Sequence, residues 1–188
     1  MATAPRLFED AARGDPAALE TLWRRERRRV AAVLIAHRPR EEDLDDLLQE
    51  VGAIFVERLR EVRDPERLGA WLRAVALNVA HGAGRKAKTT RARRRGLEAA
   101  AGALDPSGER GSARSEARDE LRQVLAWVRG LSPALAEPLL LRALWGHSQR
   151  DIAEWLGIPE TAVESRLARA RRELRERIEE ADRLRRAE

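Results

Sequence analysis

An all-α protein, two small helical units joined by a linker, is predicted by three features of this sequence. Apolar residues recur at helical spacing, and no stretch alternates with period two for long enough to suggest a sheet. Asp15-Pro16, Asp64-Pro65 and Ser132-Pro133 each place an N-cap acceptor before a proline suited to the first helical position. Between 88 and 117 bulky apolar side chains almost vanish, leaving only Leu97 and Leu104 among Gly, Ser, Ala and Arg. The expected units are therefore 1–87 and 118–188, with 88–117 as a flexible linker.

Taken in order, the helix opening at Pro16 carries Trp23, the arginine-rich run Arg24 to Arg29 and the apolar run Val30 to Ala36. The run of arginines reads as a solvated or salt-bridged face. The most periodic segment is 43–62, where Leu44, Leu47, Leu48, Val51, Ile54, Phe55, Leu59 and Val62 form one stripe. Its other face holds Glu42, Asp45, Asp46, Gln49 and Glu50. A helix from Pro65 towards Lys86 points Leu68, Trp71, Leu72, Val75 and Val79 inward. Gly82 and Gly84 weaken its end, each costing about 1 kcal/mol in a helix interior. In the second unit, helices are expected over 119–129 and 133–145, the latter kinked or displaced in its first turn by Pro138. Ser148 caps a short helix that stops at Gly157, with Asp151 as a weaker capping-box acid. A long final helix runs from about Pro159 towards Arg185. The five tryptophans fall near apolar stripes and read as core.

Composition removes several functions. The 188 residues contain no cysteine, so disulfides and thiolate metal sites are out, and His37, His81 and His147 lie far apart. No metal site, cofactor or catalytic constellation is expected. The longest apolar run is too short to span a bilayer, and the N-terminus lacks a signal-peptide core, so a cytoplasmic protein is expected. All of the 37 basic residues except Lys86 and Lys88 are arginine, and 32 acids nearly balance them. The +5 excess is concentrated in 88–117, which holds seven basic against four acidic groups. A generally basic coat is not expected; local placement decides.

The stretch Gly146 to Arg166 has the pattern of a helix-turn-helix. Ile152, Ala153 and Leu156 face inward, Gly157 turns the chain, Ile158 packs at the turn, and Val163 and Leu167 face inward again. Such a second helix enters the major groove by its N-terminal residues. Its exposed candidates are Glu160, Thr161, Glu164, Ser165, Arg166 and Arg169, followed by Arg171 and Arg172. Arg166 suits guanine, and the later arginines suit phosphates. The plainer alternative is an αα-hairpin with a charged outer face. The acidic face at 43–50 reads as solvated, or as a docking face for a basic helix.

Two sets of residues resemble a known family. Asp46-Leu47-Leu48-Gln49-Glu50-Val51 is similar to the D-L-V-Q-E-V core of region 2 in ECF (extracytoplasmic function) sigma factors. Ala70-Trp71-Leu72 and Ala76-Leu77-Asn78 resemble the A-W-L and A-R-N of the same region. Leu131-Ser132-Pro133, Leu139 to Arg142, Gly146 to Gly157 and Val163 to Arg171 follow that family's region 4. The resemblance implies binding to core RNA polymerase, at the β′ coiled coil through Asp46, Gln49 and Glu50, and at the β flap. It implies capture of the melted minus-ten element around 62–68 and the start of the next helix, with Arg63, Arg67 and Asn78 as contacts. It further implies reading of the minus-thirty-five element by 160–172, an anti-sigma partner, and a monomer when free. Leu77, Gly82, Ala83, Gly52 and Glu164 depart from the family pattern, the first three where region 2 meets DNA. Two other readings stay open: a helix-turn-helix regulator that does not act as a sigma factor, and a helical module that sequesters a partner.

Overall fold

The computed structural model of the chain describes residues 4–39, 42–98 and 123–187. These residues are helical, with no strand among them. The helices are α1 (Ala4–Ala12), α2 (Pro16–His37), α3 (Leu44–Arg58), α4 (Leu68–Glu98), α5 (123–130), α6 (Pro133–Trp145), α7 (Gln149–Leu156) and α8 (Glu160–Ala187). Two single 3-10 turns, Leu59–Glu61 and Pro65–Arg67, bridge α3 and α4.

Caps set most of the starts. Asp15 accepts from the Ala18 N–H at 2.7 Å, Asp43 from Asp45 at 2.7 Å and Asp64 from Glu66 at 2.9 Å. Ser148 and Asp151 form a complete capping box rather than a weak one. The Ser148 hydroxyl accepts from the Asp151 N–H at 3.1 Å, and the Asp151 carboxylate accepts from the Ser148 N–H at 2.9 Å. Ser148→Ala is expected to cost about 1 kcal/mol, read as a lowered denaturation midpoint. Ser132 stands at the N-cap of α6, but its side chain makes no capping bond. Gly146 and Gly157 end α6 and α7 at φ +68° and +66°, the left-handed backbone that lets the next helix turn away.

Two expectations need correction. The helix from Leu68 does not fade at Gly82 but continues to Glu98, so the first eleven residues assigned to the linker are helical. Ala83 is buried, and a Cβ at Gly84 would meet the Pro39 ring at 3.7 Å. The glycines therefore sit where α4 packs on the end of α2. Pro138 lies inside α6, which runs from Pro133 to Trp145 as expected. The carbonyl that its missing N–H leaves unpaired belongs to Ala134, an exposed residue of the first turn. The periodic stripe 43–62 is not one helix either, because it tightens to a 3-10 turn at Leu59. Residues 99–122, which hold the rest of the expected linker and the start of the 119–129 helix, lie outside the described residues.

The apolar run of α2 explains the architecture. Val30 to Ile35 are all buried, as a helix apolar on every side must be. The surroundings are α1, α3 and α4 of the N-terminal unit and α6 of the C-terminal unit. The two units therefore share one apolar cluster, from Phe8 to Ala170.

Candidate functional site

The expected recognition helix is the N-terminal half of α8. Val163, Leu167 and Ala170 are buried against the rest of the C-terminal unit, which fixes the opposite face outward. Thr161, Glu164, Ser165, Arg169, Arg171 and Arg172 are exposed, as their spacing predicts. The Ser165 hydroxyl donates to the Thr161 carbonyl at 2.9 Å, while Arg169 pairs with Glu173 at 2.9 Å and Arg172 with Glu176 at 4.0 Å. These are surface pairs one helical turn apart, worth little against a phosphate partner. Arg166 departs from expectation. It is half-buried and lines a cleft of about 300 Å³ with His37, Arg73 and Glu137, between the two units.

On α3, Leu47, Leu48, Val51 and Phe55 are buried and turn Asp46, Gln49 and Glu50 to solvent. Asp45 shares that side, whereas Glu42 is half-buried. Gly52 has a structural reason. A Cβ there would come within 3.2 Å of Trp23, whose ring covers Phe55 at a centroid distance of 5.5 Å. Trp23 thus takes the room that a large side chain at 52 would need. The arginine run on α2 behaves as read: Arg24 pairs with Glu20, and Arg25 and Arg29 reach Glu26 at 3.8 and 3.2 Å.

Arg63, Arg67 and Asn78 are exposed, Arg67 lying 3.6 Å from Asp64. Of the residues that depart from the expected pattern, Leu77 and Gly82 are half-buried and Ala83 is buried. Position 83 therefore packs rather than facing solvent.

A cluster that sequence reading missed joins the units. Glu137, in the middle of apolar α6, is 1% exposed. Its carboxylate accepts two bonds from Arg73, at 2.8 and 2.9 Å, and one from the Trp155 indole N–H at 3.1 Å. His37 Nε2 lies 3.3 Å from the same group and carries the proton, since an ionised carboxylate only accepts. The signal in the sequence is a lone acid in a run of Leu, Ala and Pro. A buried charge needs partners, but here they stand 64 and 100 residues away.

Burial alone would raise the Glu137 carboxyl. The hydrogen bonds from His37 and Arg73, with the Arg73 charge, outweigh it and hold the group below the ordinary 4.5. A lowered folded-state value means that the ionised carboxylate stabilises the fold above 4.5. That contribution is lost as pH falls through the lowered value. The melting-temperature difference between wild type and Glu137→Gln should therefore hold steady from pH 7 to pH 5, then shrink below pH 4.5. The Asp151 carboxyl is also lowered, by the bonds from the Ser148 side chain and backbone. The His147 imidazole is lowered by burial and by Arg29 nearby. No group of His, Asp or Glu among the described residues could hold a metal ion, and none of their helices is long and apolar enough to cross a membrane.

Comparison with known proteins fits both units. The family model for sigma-70 region 2 matches residues 22–90, and that for sigma-70 region 4 matches residues 121–174. The solved structure of CnrH in complex with the cytosolic domain of CnrY superposes with a TM-score of 0.62 at 28% identity. The match covers 92% of this chain and 95% of that one. No curated protein matches.

Proposed function

This chain belongs to the ECF-type sigma-70 factors, and we propose that it binds core RNA polymerase and directs promoter-specific initiation, with no catalysis of its own. The observation that carries this reading is the order of two units in one chain: an N-terminal unit with Asp46, Gln49 and Glu50 exposed on one face, then a helix-turn-helix with exposed arginines. In this reading Asp46, Gln49 and Glu50 meet the β′ coiled coil, and the C-terminal unit meets the β flap. Arg63, Arg67 and Asn78, with the segment 62–70, hold the non-template strand of the minus-ten element. Melting needs no covalent step, because binding the displaced strand offsets the unstacking cost.

Thr161, Glu164, Ser165 and Arg166 then approach base edges of the minus-thirty-five element, and Arg169, Arg171 and Arg172 hold phosphates. Glu164 suits a cytosine N4 donor. CnrH is seen in complex with the cytosolic domain of CnrY, which supports an anti-sigma partner of that kind for this chain, acting in the cytoplasm on an otherwise monomeric protein. The test mixes the protein with core polymerase and a promoter library. Transcripts sharing one upstream sequence are expected; DNA binding without polymerase binding would instead favour a helix-turn-helix regulator.

A further inference from the structure

We propose that the end of α4, Lys86 to Arg95, is a phosphate-binding arm that holds the DNA duplex upstream of the captured minus-ten strand without reading its sequence. The placement on the promoter rests on the functional reading above; the affinity for phosphates does not. Arg91 to Arg95 lie outside the two stretches that match the sigma-70 families, the first ending at residue 90 and the second beginning at 121. The arm carries Lys86, Lys88, Arg91, Arg93, Arg94 and Arg95, including both lysines of the chain. The structure sets them on one continuous helix rather than on a flexible linker.

The charge pattern sets this stretch apart. Elsewhere arginines stand one turn from an acid and pair with it: Arg13 with Asp10, Arg24 with Glu20, Arg58 with Glu61 and Arg183 with Glu179. From Arg67 to Leu97 the chain has no acid, and Glu98 comes within four residues only of Arg94 and Arg95. Like charges recur instead at three and four residues, Lys88 with Arg91 and Arg91 with Arg94 and Arg95, spacings that weaken a helix. The helix dipole favours cations in the last turn, which accounts for Arg95 and not for those two or three turns earlier. Packing does not account for them either. Past the buried Ala83, Leu97 is the one bulky apolar residue left in the helix, so no apolar stripe ties this stretch to a core. A polyanion laid along the helix relieves the repulsion.

Position favours duplex DNA as that polyanion. Asn78, assigned to the minus-ten strand, lies on the same helix. At about 1.5 Å per residue, the arm begins roughly 12 Å and ends roughly 25 Å beyond Asn78, the length of about four to eight base pairs. The chain then leads to the unit assigned to the minus-thirty-five element, so the arm lies on the upstream side of the melted strand, where the DNA is still paired. Duplex DNA carries one charge per about 1.7 Å of axis, which sets roughly eight phosphates along an arm with six cations.

The test titrates the full chain, without polymerase, on a non-promoter duplex of about 30 base pairs between about 50 and 200 mM salt. Lys86→Gln, Lys88→Gln, Arg91→Gln and Arg93→Gln together remove four charges and keep helix propensity. The slope of log affinity against log salt should flatten by about 3.6, so that wild type loses roughly 100-fold more affinity than the variant over this range. Arg13→Gln, Arg24→Gln, Arg58→Gln and Arg183→Gln take the same charge from paired surface positions and should change the slope by less than about one. Thr89→Arg with Thr90→Arg adds two charges to the arm and should steepen the slope by about 2. Equal flattening in the arm and surface variants overturns the arm, as does no steepening with the added arginines while helical content is retained. A larger effect on a duplex RNA of the same length overturns the assignment to DNA. Ethylation of promoter phosphates then tests the placement in the complex with polymerase. It should interfere about four to eight base pairs upstream of the minus-ten element with wild type and not with the arm variant. Interference confined to the two promoter elements overturns the placement, while failure to bind polymerase at all overturns the functional reading and leaves the slopes standing.

Discussion

Replacing Asp46 and Glu50 together by lysine should weaken binding to core polymerase by roughly 30- to 1,000-fold. Like charges brought together across an interface cost several kcal/mol, and 2–4 kcal/mol corresponds to about that range of affinity. Both side chains are exposed on α3, so the fold should barely notice. The exception is Asp46, which lies in the first turn of α3. There an acid favours the helix dipole by about 0.3–1 kcal/mol, and the melting temperature should fall by only a few degrees. The pair of substitutions raises the net charge by four, so non-specific DNA binding should rise, more so at low salt. Loss of polymerase affinity together with a gain in DNA affinity separates a docking face from general damage. Unchanged polymerase affinity at physiological salt would move the docking face off α3.

The exposed face of Asp46, Gln49 and Glu50 could be read from sequence because its evidence is local. The stripe from Leu47 to Phe55 fixes one face of α3, and helical geometry then dictates what the other face presents. The helix-turn-helix was legible for the same reason, with Ala153, Gly157, Val163 and Leu167 each where a short-range rule puts them. The end of α4 was not legible. Propensity charges Gly82 and Gly84 against the helix, but the contact of that stretch with the end of α2 is tertiary and overrides it. The Glu137 cluster was hidden more completely. Periodicity reports which face is buried, not which distant Arg and His will neutralise an acid there. Arg166 was misplaced by the same blindness: it lines a cleft formed by α6 and Leu156 of its own unit together with His37 and Arg73 of the other, contacts that helical spacing does not report.

Phe55→Ala should remove roughly 3–5 kcal/mol of stability, the usual cost of emptying a large aromatic site in a core. Phe55 is fully buried on α3 and covered by Trp23. The core around it is made largely of Leu, Val and Ala, which leaves few long side chains to collapse into the hole. Against a total of about 5–15 kcal/mol for an ordinary domain, that loss should lower the melting temperature by roughly 6–20 °C. Phe55→Leu, which keeps most of the volume, should cost about 1.5 kcal/mol or less. The functional consequence differs in kind from that of the charge reversal. Phe55 is fully buried and out of reach of any partner; it holds in place the helix whose far side presents Asp46, Gln49 and Glu50. Phe55→Ala should therefore bind polymerase almost normally well below its lowered melting temperature and lose affinity steeply as that temperature is approached. The lysine variant should be weak at every temperature while remaining helical. If Phe55→Ala instead melts within a few degrees of wild type, α3 is not seated on this core, and the orientation of Asp46, Gln49 and Glu50 has to be reassigned.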